Sequence, residues 1–209
     1  MRYTTIRFSQ IEKHDLLRSW LLISLAFTIA LQGFSFGLLF SLEFLVAILL
    51  AGLTVGIGFI LHELSHKVVA IRYGCSAEYR ANTFWLWLMI IMSFFGVIFA
   101  APGAVYIQGS VSRKENGIIS AAGPFANLVL AILFLGIVLG GTLSPGLAPL
   151  STVAKYGLLV NAWLALFNMI PIFPFDGSKI WVWNKLTFFG MIVLAALLTF
   201  VPQYWFSTA

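Results

Sequence analysis

The chain has 209 residues, of which 61% are hydrophobic and 9% are charged, and its formal net charge is +5. A soluble domain carries about 25% charged residues. This composition, with a mean hydropathy of +1.00, therefore excludes a soluble globular protein, a disordered chain and a nucleic-acid-binding module. With Cys75 as its single cysteine, the chain has no disulfide framework and no thiolate metal cluster.

The chain begins with a polar stretch of mixed charge over residues 1–18. A secretory signal would place an apolar core directly after a short basic start, followed by a cleavage site. Because that order is missing, we expect the first apolar span to remain as an uncleaved anchor. No linker-like segment and no internal repeat interrupts the sequence, which predicts a single membrane-embedded domain over residues 1–209.

The apolar runs predict the architecture, because about 20 apolar helical residues are needed to cross a bilayer. Five runs are long enough, namely residues 20–39, 45–69, 118–140, 154–170 and 186–201. A sixth run, residues 84–101, ends in Ala-Ala-Pro-Gly, which breaks a helix. The sequence thus predicts an all-α multi-pass membrane protein with five to six transmembrane helices and a re-entrant or β-hairpin element near residues 84–110.

The distribution of lysine and arginine predicts how the sixth run behaves, because positive charges concentrate in cytoplasmic loops. If residues 84–101 return to the face they left, 11 of the 12 basic residues share the side of the amino terminus and Lys155 lies opposite. If they cross, 8 basic residues share the side of the amino terminus and 4 lie opposite. The charges therefore favour a re-entrant element in a cell membrane, with the amino terminus cytoplasmic and the carboxyl terminus outside.

The second span contains the sequence His-Glu-Leu-Ser-His at residues 62–66. Helical residues four apart lie on one face, so His62 and His66 can reach one ion, and Glu63 can take a proton from water. In this HExxH arrangement two neutral histidines hold zinc. The alternative is a polar cluster at a helix end, but ionisable groups beside an apolar span are costly unless paired or metal-bound.

A catalytic zinc site usually has a third protein ligand. The remaining histidine, His14, lies in the polar amino-terminal segment, and we expect Cys75 to be a small, partly buried residue. Among the acidic residues, Asp176 stands out because of its setting. It follows an apolar span and two prolines, and it precedes Gly177. Taken alone, Asp176 would fit an Asp-Gly turn at a membrane surface better than a metal site.

Two motifs together resemble the site-2 protease family of intramembrane zinc metalloproteases. These are HELSH at residues 62–66 and N-x-x-P-x-x-P-x-D-G at residues 168–177. Ala122 to Asn127 is similar to the family's G-P-x-x-N helix start, and Gly103 to Tyr106 is similar to its G-G-V-A loop. The resemblance covers about residues 45–185; the first and last spans match by hydrophobicity alone.

This resemblance implies that His62, His66 and Asp176 bind one zinc ion and that Glu63 is the catalytic acid and base. It also implies that Asn168 lies near the site and donates to the scissile carbonyl. The chain departs from the family pattern at Phe175, where leucine is common, and at Ala104, where the loop has glycine. No PDZ or CBS extension is expected in this sequence.

The leading function is an intramembrane zinc endopeptidase whose partners are transmembrane protein substrates and the lipid bilayer, not nucleic acid. Since a helix hides its peptide bonds, the substrate must unwind, and we expect the strand-like residues 104–107 to pair with it. A transporter or channel for divalent metal is the alternative, with the His/Asp cluster as a transit site, although it gives Glu63 no task. An inactive scaffold is a third hypothesis, against which the intact residue set argues.

Two weaker patterns have simpler interpretations. Gly52 and Gly56 form a small-residue motif that predicts close helix packing within the fold rather than dimerisation. Asn127 and Asn161 lie in apolar spans, where interhelical hydrogen bonding is their expected role.

Overall fold

The computed structural model describes residues 6–33, 37, 41–98, 102–143, 146 and 148–208. Its elements in chain order are α1 (Gln10–Gln32), α2 (Leu42–Ala51), a π-helical turn (Gly52–Gly56), α3 (Ile57–Arg72), β1 (Ser76–Ala81), α4 (Thr83–Ser93), β2 (Gly103–Gln108), α5 (Arg113–Leu143), α6 (Ala148–Asn168), α7 (Asp176–Trp183) and α8 (Lys185–Thr208). Arg2, the predicted end of the first span at Leu39 and the end of the sixth run at residues 99–101 lie outside the described residues.

Five helical segments in the described part of the chain are long and apolar enough to cross a membrane. They are Gln10–Gln32, Leu42–Arg72, Arg113–Thr142, Leu150–Asn168 and Lys185–Gln203. Together with the small sheet, they confirm the predicted all-α multi-pass membrane protein. Helix α4 has 11 residues, so at 1.5 Å per residue it extends about 16 Å and is too short for a hydrocarbon core of about 30 Å.

The first helix begins at Gln10, ten residues before the predicted span at residue 20. Ser9 caps it, because its side-chain oxygen accepts a hydrogen bond from the Glu12 backbone N–H at 3.1 Å. This cap starts the helix within the polar stretch of residues 1–18, where the hydrophobicity of the sequence does not indicate a helix. As a result, Glu12 and Asp15 lie on the first helix rather than in a tail.

The two ends of the sixth apolar run lie side by side, as expected for a run that returns to the face it left. Strands β1 and β2 pair antiparallel, with Ser76 opposite Gln108 and Ala81 opposite Gly103. Just beyond them, the Asn82 N–H donates to the Pro102 carbonyl oxygen at 2.8 Å. Residues 82 and 102, which flank the run, are therefore neighbours in the structure.

Small residues allow the helices around the second span to approach closely. A Cβ at Gly52 or Gly56 would meet the Trp20 ring of α1, and Trp20 Nε1 donates to the Gly52 carbonyl oxygen at 3.0 Å. A Cβ at Gly58 would likewise meet the Asn161 side chain of α6. The Gly52/Gly56 motif therefore serves packing within the fold against α1, as predicted, and Gly58 allows the approach of α6.

Candidate metal centre

Helix α3 brings the two histidines of the HELSH sequence together. The side chains of His62 and His66 are one turn apart and are buried, and their Nε2 atoms lie 3.1 Å from each other. Two imidazole nitrogens this close, on one face of a helix, are suited to binding a single ion.

Asp176 reaches the same point from a distant part of the chain. Helix α6 ends at Asn168 and the prolines keep the next residues from continuing it, so that α7 begins at Asp176. The Oδ2 atom of Asp176 lies 3.3 Å from His62 Nε2 and 3.1 Å from His66 Nε2. Gly177 permits this approach because a Cβ there would collide with the backbone of Met169.

The outer nitrogens of both imidazoles are held by hydrogen bonds. His66 Nδ1 lies 2.7 Å from the Ile119 carbonyl oxygen, which can only accept, so Nδ1 carries the hydrogen. His62 Nδ1 lies 2.6 Å from Asn127 Oδ1. The Asn127 amide orientation is set in turn, since its Nδ2 donates to Gly58 O at 3.1 Å and to Asn161 Oδ1 at 3.0 Å. Each Nε2 lone pair therefore faces the cluster, as a ligand requires.

These donor atoms fit a zinc ion. His62, His66 and Asp176 each offer one ligand atom, and the atoms all lie within 4.8 Å of one another. Two imidazole nitrogens and one carboxylate oxygen are a common donor set for catalytic zinc, which leaves one position open. Burial acts to raise the pKa of Asp176, but the neighbouring His66 and His62 outweigh it and hold the pKa below its usual range.

Gly123 of α5 leaves room for the ion. A Cβ at this position would lie 2.6 Å from His62 Nε2 and would also meet His66 Nε2. We therefore expect Gly123→Ala to abolish stoichiometric zinc binding, measured as metal content of the purified protein. Gly136→Ala is the matched control on the same helix, because nothing lies within 4 Å of a Cβ there. Full zinc content in Gly123→Ala would contradict this placement of the ion.

A cavity of about 140 Å³ opens onto the cluster. Glu63, Asn168 and Lys179 line it together with the three candidate ligands, and Gly103, Ala104, Val105 and Ile107 of β2 form another wall. In the described part of the chain no hydrogen bond or ion pair engages the Glu63 carboxylate, so it is available to a molecule in the cavity. The Asn168 Nδ2 atom donates to Leu164 O at 2.9 Å, which leaves its second hydrogen for another acceptor.

The structure places every sequence-predicted site residue around this cavity and keeps the discarded candidates away from it. Cys75 is buried against Ala70 and Ile119 and does not line the cavity, and His14 is exposed beside Asp15. Sequence reasoning missed the Ile119 carbonyl and Lys179, whose Nζ lies 3.8 Å from Asp176 Oδ1. The predicted interhelical hydrogen bonding of Asn127 is confirmed. Its second role, the orientation of the His62 ring, was not predicted.

Comparison with known proteins identifies curated relatives. The chain is 41% identical over 180 residues to zinc metalloprotease MJ0611 of Methanocaldococcus jannaschii, covering 85% of this chain and 87% of that protein. It is 34% identical over 129 residues to Rip3 of Mycobacterium tuberculosis, covering 59% of this chain and 28% of Rip3. It is 28% identical over 145 residues to YwhC of Bacillus subtilis, covering 61% of this chain and 65% of YwhC.

All three relatives carry the words zinc metalloprotease in their names. No protein-family model matches the chain, and no solved structure matches it.

Proposed function

Since this chain belongs to the site-2 protease family of zinc metalloproteases, we propose that it hydrolyses peptide bonds in or near the transmembrane helices of membrane-anchored substrates. The observation that carries this proposal is the location of the metal cluster. Two of the three candidate ligands lie in Leu42–Arg72, a 31-residue helical segment that is long and apolar enough to cross a membrane. A substrate that reaches this site approaches it through the bilayer or at its surface.

The chemistry that a bound zinc ion supplies here is polarisation of the peptide carbonyl and a lower pKa for water. His62, His66 and Asp176 would hold the ion, while Asn127 and the Ile119 carbonyl keep the imidazole rings in orientation. The Glu63 carboxylate accepts a proton from the attacking water and delivers it to the departing amide nitrogen.

Asn168 completes the proposed set of catalytic groups. It lines the same cavity as Asp176, and one of its two amide hydrogens is already engaged by Leu164 O. The other hydrogen is free to donate to the scissile carbonyl, where negative charge develops during attack. We propose this role for Asn168.

Strand β2 supplies a binding edge for an unwound substrate. Because Asn82 N–H bonds to Pro102 O, the alternation of an antiparallel ladder directs the N–H groups of Ala104 and Tyr106 toward β1. The N–H groups of Val105 and Ile107 therefore point to the open edge, beside the cavity that both residues line. A substrate segment added as a third strand would meet the metal cluster in extended conformation.

Proline at Val105 or Ile107 tests this edge, because it removes the outward N–H and leaves the bonds to β1. A backbone hydrogen bond contributes about 0.5–1.5 kcal/mol net, and about 1.4 kcal/mol corresponds to a tenfold change in a dissociation constant. We expect KM for a single-span peptide to rise by up to about tenfold per variant, with zinc content unchanged. Val105→Ala keeps the N–H and is the control. Undiminished cleavage in a folded, zinc-loaded Val105→Pro variant would exclude pairing at this edge.

Proteoliposomes distinguish the peptidase from the metal-transit alternative. The purified chain is reconstituted with a fluorescent peptide carrying one apolar span of about 20 residues, and both peptide products and zinc flux are measured. We expect products that disappear on addition of a chelator and return with zinc. Zinc flux without any product would favour transit.

We also propose that the protein lies in a cell membrane with its amino terminus and the metal site toward the cytoplasm. The charge distribution and the return of residues 82–102 to one place support this orientation. In a Cys75→Ser background, Lys114→Cys and Lys185→Cys should therefore share one labelling pattern with a membrane-impermeant thiol reagent, and Lys155→Cys should show the opposite one. Labelling of positions 114 and 155 from the same side would contradict this topology.

A further inference from the structure

The two-stranded sheet has two outer edges, and side chains of α1 occupy the edge formed by β1. The Tyr79 N–H of β1 donates to Glu12 Oε1 at 3.0 Å, and the Ala81 N–H donates to Asp15 Oδ2 at 3.2 Å. These are the N–H groups that the ladder alternation directs away from β2. The carboxylates therefore block the β1 edge and leave the β2 edge as the one available beside the cavity.

Glu12 also connects the sheet to the helix that carries the histidines. Its second oxygen, Oε2, lies 2.5 Å from Nζ of Lys67, the residue that follows His66. Lys67 Nζ also donates to the Arg7 carbonyl oxygen at 2.7 Å and lies 4.2 Å from the centre of the Phe8 ring. Glu12 and Lys67 are 0% and 1% exposed, so both charges are removed from water.

A buried ion pair of this kind is weak evidence for stability. The cost of removing two charges from water often exceeds their attraction, and apolar residues of similar volume can replace such a pair without loss. The geometry has a clearer consequence, because one carboxylate holds β1 with one oxygen and α3 with the other. Since β2 is registered against β1, Glu12 fixes the position of the open edge relative to His62 and His66.

We propose that Glu12 is a positioning residue that sets the register in which a substrate strand, added to β2, meets the metal site. This inference rests on the proposed peptidase function. With the bridge to Lys67 broken, the sheet can shift relative to α3, and neighbouring peptide bonds then compete for the site. Because side chains alternate along a strand, alternative registers differ by two residues.

The test uses Glu12→Gln, which keeps an oxygen for the Tyr79 N–H but removes the charge that holds Lys67. The full chain in proteoliposomes cleaves a single-span peptide, and mass spectrometry gives the distribution of cleaved bonds. We expect wild type to cut mainly at one bond and Glu12→Gln to add bonds two residues away. A displacement of 1 Å costs about 10²-fold, so kcat/KM should fall by up to about that factor, with zinc content unchanged.

Glu115→Gln is the matched control, since Glu115 also lies in the first turn of a helix and accepts a backbone hydrogen bond, from Ser112. It should leave the cleaved bonds unchanged. If Glu12→Gln does not fold, the double variant Glu12→Gln/Lys67→Met removes the bridge without leaving an unpaired buried charge and should broaden the distribution in the same direction. The proposal would be overturned if the distribution of cleaved bonds stayed unchanged and the loss of rate only matched the loss of folded, zinc-loaded protein.

A second readout separates this inference from the proposed function. Spin labels at Leu61 of α3 and Tyr106 of β2, both exposed, report the distance between helix and sheet in zinc-free protein with Cys75→Ser. We expect Glu12→Gln to broaden this distance distribution. Failure of wild type to cleave any peptide would refute the peptidase, whereas an unchanged label distance in Glu12→Gln would refute the positioning role.

Discussion

Glu63→Gln is expected to abolish peptide cleavage while the protein keeps its zinc and its fold. The carboxylate lines the cavity beside the metal cluster, and an amide of the same shape cannot accept a proton from water. General acid–base catalysis typically contributes about 10²–10⁴-fold, so the rate should fall by at least the lower of these factors. Zinc content, circular dichroism and cleavage of the single-span peptide are measured on the same preparation.

Glu43→Gln is the control for this variant, because Glu43 lies in the first turn of α2, at the opposite end of the same membrane span. The control should cleave at the wild-type rate. Normal turnover by zinc-loaded Glu63→Gln would remove Glu63 from the mechanism, and with it the main distinction between the peptidase and a metal-transit site.

Asp176→Asn is expected to weaken zinc binding strongly. The Asp176 Oδ2 atom faces both histidines, and a neutral amide oxygen is a poorer zinc ligand than a carboxylate. Loss of a residue that is hydrogen-bonded to a ligand typically costs 10–100-fold in metal affinity, and we expect replacement of the ligand itself to cost at least about as much. The zinc dissociation constant is measured by competition with a chelating dye.

Asp15→Asn, at the chain's other aspartate, should leave the zinc dissociation constant unchanged. If Asp176 were a turn residue alone, its Asn variant would be nearly silent, because Asn-Gly turns form readily. Unchanged zinc affinity in Asp176→Asn would therefore assign the third ligand elsewhere.

The metal cluster was predictable from the sequence because its signals are local. His62 and His66 follow the helical period, and the Asn-Pro-Pro-Asp-Gly string of the family marks Asp176. The pairing of the two ends of the sixth run agrees with the positions of the basic residues, which a crossing would have divided 8 and 4 rather than 11 and 1. In both cases a short pattern and one physical rule were sufficient.

The parts that the sequence did not reveal depend on contacts between distant segments. Strand β1 reads Ser-Ala-Glu-Tyr-Arg-Ala, which has little β-propensity, and it forms because β2 and the carboxylates of α1 satisfy its two edges. The bond from His66 to the Ile119 carbonyl has no side-chain signature at all. The capping box at Ser9 and Glu12 was visible, and would have predicted the early start of α1.

The position of the cleaved bond tests the central claim most directly. The purified protein is reconstituted with zinc and a peptide whose single apolar span is flanked by polar segments on both sides, and the masses of the products are measured. A peptidase with its metal cluster in the segment Leu42–Arg72 should cut inside the span or within a few residues of its cytoplasmic end. Cleavage confined to the distant polar segments, or no cleavage by folded protein that contains one zinc ion per chain, would contradict the account.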